Sequence, residues 1–201
     1  MLYEFCRTHP SQSDPAAVVS KFWLIGRAYS AAVERRRTSI ETPLKPGENF
    51  YDDRLAPAYT QAGLDAVFAT LHAIDGVTRD NLVHVAEVHN AVADTLQDIT
   101  HQWKRSLASK YLHFHFPSLV FIYDSLAELS LKQYVPGWSR TRLPESPQYD
   151  AHYLKFCRGV MALREAIASE YAIRLTPRAL DKATCSPSAS RPSGCGPPWE
   201  R

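Results

Sequence analysis

Residues 78–99, TRDNLVHVAEVHNAVADTLQDI, decide the fold class. Leu82, Val85, His89, Val92, Leu96 and Ile99 recur three and four apart, the spacing of one face of an α-helix. Asp75-Gly76 reads as a turn ahead of that helix, and Thr78 as its cap. The same period appears on both sides. Downstream, Tyr149, Tyr153, Phe156, Val160, Leu163 and Ile167 predict a second long helix over about 148–172. Upstream, Asp14 is a cap followed by Pro15 at the first helical position, with Val18, Phe22, Ile25, Tyr29 and Val33 on one face behind it. Glu34-Arg35-Arg36-Arg37 is read as the close of that helix, with cations at the negative end of its dipole. Residues 50–75 read as one or two shorter helices broken near Gly63, and Thr176-Pro177 starts a last one that stops near Ala183. Phe121–Tyr123 is the only strand-like run and is too short to found a sheet. The expectation is an all-α protein.

Length and composition bound the rest. A chain of 201 residues, 45% hydrophobic and 22% charged, is an ordinary globule that can bury a core without a metal or a disulfide. One helical domain is expected over 14–183, with an N-terminal extension over 1–13. Residues 184–201, TCSPSASRPSGCGPPWER, are rich in proline and poor in apolar residues and read as a disordered tail. Val135–Pro147 reads as a long loop. A net charge of +2 points to no class of partner, so any nucleic-acid site must come from local clustering. Cys6, Cys157, Cys185 and Cys195 are scattered without a C-x-x-C pair, which is neither a zinc framework nor a disulfide scaffold. A reduced, cytosolic compartment is expected. No apolar run is long enough for a membrane span, and the start lacks the pattern of a secretory signal. The chain has no P-loop, dinucleotide fingerprint, G-x-S-x-G or H-E-x-x-H, and no cofactor or metal is expected.

Chemistry concentrates in residues 106–125, SLASKYLHFHFPSLVFIYDS. Lys104, Arg105 and Lys110, interleaved with Trp103 and Tyr111, make a basic patch with aromatics, the combination that contacts phosphates and stacks on bases. The lone acid Asp124 stands at the mouth of the next helix. Ser125-x-x-Glu128 forms a capping box, which makes Ser125 the N-cap and leaves Asp124 facing the positive end of the dipole. Asp124 is thus either a helix-end acid or a site residue.

Residues from about 95 to 130 resemble the helix-hairpin-helix DNA glycosylase superfamily, which includes the 8-oxoguanine glycosylases. Those proteins carry a turn of the form L-P-G-V-G-x-K-x-A, a short helix, a proline-containing link and an acid in a V-P-V-D-x-H context. Leu107–Leu112 resembles the second hairpin helix, Pro117 the link, and Phe121-Ile122-Tyr123-Asp124-Ser125 the segment with the acid. The resemblance implies a helical DNA-binding protein with Asp124 as catalytic acid. It also implies that Trp103, Lys104, Arg105, Ser109 and Lys110 lie at the nucleic acid. The chain departs from the pattern in two places. Residues 100–106 hold no glycine, and Ser106 occupies the position of the family's nucleophilic lysine, with Lys110 one turn further along the same face. A monofunctional base-excising enzyme or a catalytically degenerate relative fits those departures.

Other readings stay open. Tyr123 and His89, the latter on the apolar stripe of the long helix, are further candidates. His113 and His115 point to opposite sides of a helix and share a face only in an extended chain. A helical interaction module without nucleic acid explains the stripes as core and Asp124 as a cap. A helical ribonuclease using His113 or His115 is a third reading, although Arg105 and His113 are spaced too widely for the usual Arg–His motif of such enzymes.

Overall fold

A computed structural model describes residues 1–31, 33, 44–144 and 146–185. Among them the chain forms nine α-helices and no strand, which is the expected all-α architecture. The order is α1 (Leu2–Thr8), α2 (Pro15–Ala28), α3 (Ala56–Gln61), α4 (Leu64–His72), α5 (Leu82–Thr100), α6 (Arg105–His115), α7 (Ser125–Tyr134), α8 (Ala151–Tyr171) and α9 (Pro177–Cys185). A π-helical turn, Phe50–Leu55, leads directly into α3. A short 3-10 turn, Trp138–Arg140, interrupts the long loop before α8. The predicted tail beyond Cys185 and the triplet Arg35–Arg37 lie outside the described residues.

Local chemistry accounts for the helix ends. Asp14 accepts hydrogen bonds from the N–H groups of Ala16 (3.0 Å) and Ala17 (3.4 Å), as its place before Pro15 predicts. The helix it starts is shorter than its pattern. It ends at Ala28, and Ser30 takes a left-handed φ of 51°, which turns the chain. Val33 is nevertheless buried in the core, reached through a turn. The α5 helix begins at Leu82 behind Asn81, four residues after the expected cap. Thr78 and Asn81 exchange hydrogen bonds, Thr78 N to Asn81 Oδ1 (2.8 Å) and Asn81 N to Thr78 Oγ1 (3.3 Å), and close a turn ahead of the helix. Gly63, at φ 70°, makes the break between α3 and α4.

The stripe that decides the fold is buried. Leu82, Val85, His89, Val92 and Leu96 all lie in the core. The α5 helix packs on α4, α6 and α8, and α6 packs on α1, α2 and α5, so these two helices form the centre of the molecule. The N-terminal residues are part of this core rather than an extension of it. Leu2 and Cys6 are buried, and Gln12 is 1% exposed. Lys21, fully buried on α2, explains why. Its Nζ donates to Ser11 O (2.9 Å) and to Gln12 Oε1 (3.4 Å), and Tyr111 OH donates to the same Oε1 (2.5 Å). Asp65 receives Ser11 Oγ (2.8 Å) and Gln12 N (2.7 Å). A charged group inside the core must be hydrogen-bonded, and residues 11 and 12 supply the acceptors. No helix among the described residues is long and apolar enough to cross a membrane.

Candidate functional site

The site grows out of an extended run, residues 120–124, that crosses the molecule without a strand to pair with. Its backbone polar groups need partners, and side chains from α6 and α8 supply them. Ser109 Oγ accepts from Tyr123 N (3.0 Å) and donates to Ser106 O (2.9 Å). His113 Nδ1–H donates to Val120 O (2.7 Å), which leaves Nε2 to accept from Tyr3 OH (2.8 Å). Tyr153 OH donates to Phe121 O (2.9 Å). Leu119, Val120, Phe121 and Ile122 are buried beneath these bonds.

The run delivers Asp124 to the start of α7, where its two carboxylate oxygens do different work. Oδ1 caps the helix, accepting from Leu126 N (3.1 Å) and Ala127 N (2.9 Å). Oδ2 lies 3.5 Å from Lys110 Nζ. Lys110 comes off the buried side of α6, with its side chain 6% exposed, and also donates to Tyr29 O (3.1 Å) at the end of α2. The N-cap is therefore Asp124 and not Ser125, because the extended Asp124 backbone (φ −154°, ψ 176°) lets its side chain fold back over the first turn. Glu128, the other half of the expected capping box, instead receives Tyr123 OH at Oε2 (2.8 Å).

A second polar group adjoins the first. The Tyr123 hydroxyl gives its proton to Glu128 and lies 3.1 Å from His152 Nε2, whose N–H then donates to it. Burial, with Glu128 beside it, pushes Tyr123 up to about 12. The Arg105 guanidinium sits over the Tyr123 ring, 5.4 Å from its centroid. Arg105 is also committed elsewhere. It grips Asp150 with Nε on Oδ2 and Nη2 on Oδ1 (3.1 Å), and Trp103 Nε1 donates to Oδ2 of the same carboxylate (2.9 Å). Asp150 Oδ1 caps α8 through His152 N (2.9 Å) and Tyr153 N (3.2 Å). Burial works against its charge, but the hydrogen bonds from Arg105 and Trp103 prevail and hold the carboxyl below the usual range. Lys104 Nζ donates to Gln102 Oε1 (2.8 Å).

The three candidate histidines serve packing and backbone. His89 Nε2–H donates to Arg105 O (3.1 Å) while the ring stacks on Tyr153 at 3.7 Å, and burial pushes it down to about 4. His113, on the Val120 carbonyl, is likewise pushed down by burial to about 4. His115 stacks on Tyr111 and abuts Phe68, with a buried, unpartnered Nε2, and burial pushes it down to about 3. Among the described residues no group of three or more His, Cys, Asp or Glu side chains can hold a metal ion.

The structure thus joins Lys110 to Asp124 and Ser109 to Tyr123, and it joins Arg105 and Trp103 to a residue not anticipated at the site, Asp150. Asp150 carried a local signal, an acid directly before a helical stripe. Its pairing with α6, and the meeting of His152 and Glu128 at Tyr123, had no signal, because each links segments far apart in the chain. Comparisons with protein-family models, with curated proteins and with solved structures find no match.

Proposed function

We propose that this chain is a nucleic-acid-binding protein of the helix-hairpin-helix DNA glycosylase type, with duplex DNA as partner and Lys110–Asp124 as reaction centre. The observation that carries this reading is the 3.5 Å approach of Lys110 Nζ to Asp124 Oδ2 at the start of α7. A carboxylate so placed stabilises the positive charge that develops at the sugar's anomeric carbon as a base departs with its bonding electrons. The ammonium beside it passes a proton to the departing base, and the free amine then adds to the same carbon. Lys110 takes the role that the family's pattern gives to the position of Ser106. Because its side chain is nearly buried, it meets a substrate only when the contact with Tyr29 opens.

Two features of α5 and α6 support the reading. They pack against each other and are joined by a short turn over residues 101–104, where His101 adopts a left-handed φ of 53°, a conformation that glycine favours. The α6 helix also starts without a side-chain cap, so backbone N–H groups of its first turn are available to a phosphate. On this reading Arg105 stays with Asp150, Lys104 and that backbone take the phosphate, and Trp103, 37% exposed, is the stacking group.

The test is covalent trapping. Wild type incubated with a duplex containing an abasic site and cyanoborohydride should give a protein–DNA adduct. Lys110→Ala should give none, and Asp124→Asn should give at least tenfold less. Binding should weaken as salt rises from 50 to 200 mM. A wild type that neither binds duplex DNA nor traps on it ends the reading. The alternative, a helical interaction module, is favoured by Leu126 and Leu129, which lie one turn apart on α7 and are 68% and 65% exposed. Loss of a protein complex in Leu126→Ser/Leu129→Ser, with DNA binding absent, would establish it instead.

A further inference from the structure

The turn that carries Trp138 is anchored on α8. Trp138 is 4% exposed, and its ring meets His152 and Phe156 edge-on at 5.7 and 6.1 Å. Gly159 makes room for it, since a Cβ there would come within 3.0 Å of Trp138 Cβ and 2.8 Å of Leu131 Cδ2. Gly137 opens the turn at a left-handed φ of 80°, and Arg140 N donates to its carbonyl (2.9 Å). The residues that leave this anchor, Arg140, Thr141 and Arg142, are all exposed.

The anchor brings cations together. Thr141 and Arg158 line one cleft between the turn and α8, so Arg140 and Arg142, on either side of Thr141, stand beside Arg158. Lys155 lies three residues before Arg158 on the same side of α8. The guanidinium groups of Arg140, Arg142 and Arg158 make no hydrogen bond or ion pair with a described residue. Arg79, which lines the same cleft, is already paired with Glu165. From residue 138 to residue 158 the only acids are Glu145 and Asp150. Asp150 is held by Arg105 and Trp103, and Glu145 lies outside the described residues. Like charges crowded on one face repel, and a polyanion is the partner that relieves the repulsion.

The position of this ridge favours a nucleic-acid backbone over an acidic protein. Asp150, which grips Arg105 and Trp103, also caps α8, so the row His152, Lys155, Arg158 starts beside the turn assigned to DNA. The rise from Asp150 to Arg158 is about 12 Å, the axial length of three to four base pairs at about 3.4 Å each. Guanidinium groups also match phosphate oxygens two at a time, and an anchored turn loses little freedom when they bind.

We propose that Arg140, Arg142, Lys155 and Arg158 form a second contact surface for duplex DNA, which holds the phosphates of the duplex flanking the reaction centre. This inference rests on the reading of the chain as a DNA-binding protein. The ridge supplies affinity without reading sequence, because its partners are phosphates.

The test is fluorescence anisotropy with a labelled duplex of about 20 base pairs that carries an abasic-site analogue, titrated with the full chain between about 50 and 200 mM salt. Arg140→Gln/Arg142→Gln/Arg158→Gln should bind about tenfold more weakly or worse at the lowest salt, and the slope of log affinity against log salt should become shallower by about two to three. Its thermal melting reports the fold. Arg7→Gln/Lys45→Gln/Arg174→Gln removes the same charge from exposed positions elsewhere and should bind as wild type does. A wild type that binds no duplex ends the DNA reading and this inference with it. A ridge variant that binds and titrates as wild type does overturns the inference alone and leaves that reading standing. An equal loss in the control variant also overturns it, since net charge and not the ridge would then set affinity. So does a wild type that prefers polyglutamate to the duplex and loses that preference in the ridge variant, because the surface would then dock an acidic protein.

Discussion

Asp124 divides its two carboxylate oxygens between a helix and a lysine: Oδ1 holds the first turn of α7, and Oδ2 lies 3.5 Å from the nearly buried ammonium of Lys110. The two duties separate by substitution. Asn caps a helix about as well as Asp, but it carries no charge. Asp124→Ala should therefore be less stable than Asp124→Asn by about 0.5–2 kcal/mol, the worth of the cap. The charge interaction is read from a double-mutant cycle of Asp124→Asn with Lys110→Met, where a coupling of about 0.5–3 kcal/mol is expected. Urea denaturation of wild type, Asp124→Ala and the three variants of the cycle gives both numbers.

Asp150 should be the more sensitive acid. It is 8% exposed and satisfies Arg105, Trp103 and the first turn of α8 together. Removing one partner of a buried pair costs about 3–5 kcal/mol because the other is left uncompensated. Asp150→Ala should fall in that range, and Asp150→Asn, which keeps the cap, should fall below it. Differential scanning calorimetry checks the order. If Asp150→Ala melts with wild type, the tie between α6 and α8 contributes nothing to stability.

The buried histidines make the fold acid-sensitive. Burial holds His89 and His113 near 4 and His115 near 3, while an imidazole in the unfolded chain titrates near 6.5. Between these values the unfolded state binds protons that the folded state refuses. Stability contributed by the neutral imidazoles is therefore complete above about pH 6.5 and is lost as pH falls toward 4. Each group adds a slope of at most about 1.4 kcal/mol per pH unit. Unfolding free energies measured from pH 7 to pH 4.5 should show the fall, and His115→Phe should make it shallower by about one such slope.

Lys21 acts in the alkaline range. Burial pushes it down to about 8, against about 10.4 in an unfolded chain. Its folded value is the lower one, so the unfolded state binds the extra proton between the two. The contribution of Lys21 to stability must therefore rise as pH increases from 8 to about 10.4. Lys21→Met removes the titrating group while filling similar space. It should abolish that rise, and at pH 7 it should be neutral or stabilising, since a hydrophobic replacement avoids the cost of burying the charge. A Lys21→Met variant that keeps the alkaline rise assigns it to another group.

Much of the architecture was legible because helices advertise themselves locally. The stripe from Leu82 to Leu96, the Asp14-Pro15 start and the break at Gly63 all follow from neighbours three or four residues apart. Such signals need no knowledge of the rest of the chain. Where a local signal had a rival, the backbone decided. The capping box proposed Ser125, but the extended Asp124 backbone brought Asp124 over the helix end instead.

The chain by itself determined that the protein is helical, where most helices lie, and that residues 103–124 bring together cations, aromatics and one acid. Only the tertiary structure decided what those groups touch. It turned Arg105 and Trp103 toward Asp150, spent His113 and Ser109 on the unpaired backbone of residues 120–123, and placed Lys110 beside Asp124. The reason is the reach of each force. Periodicity and caps act within a turn of helix, whereas a buried charge or an unpaired backbone group takes whichever partner the packed helices bring near.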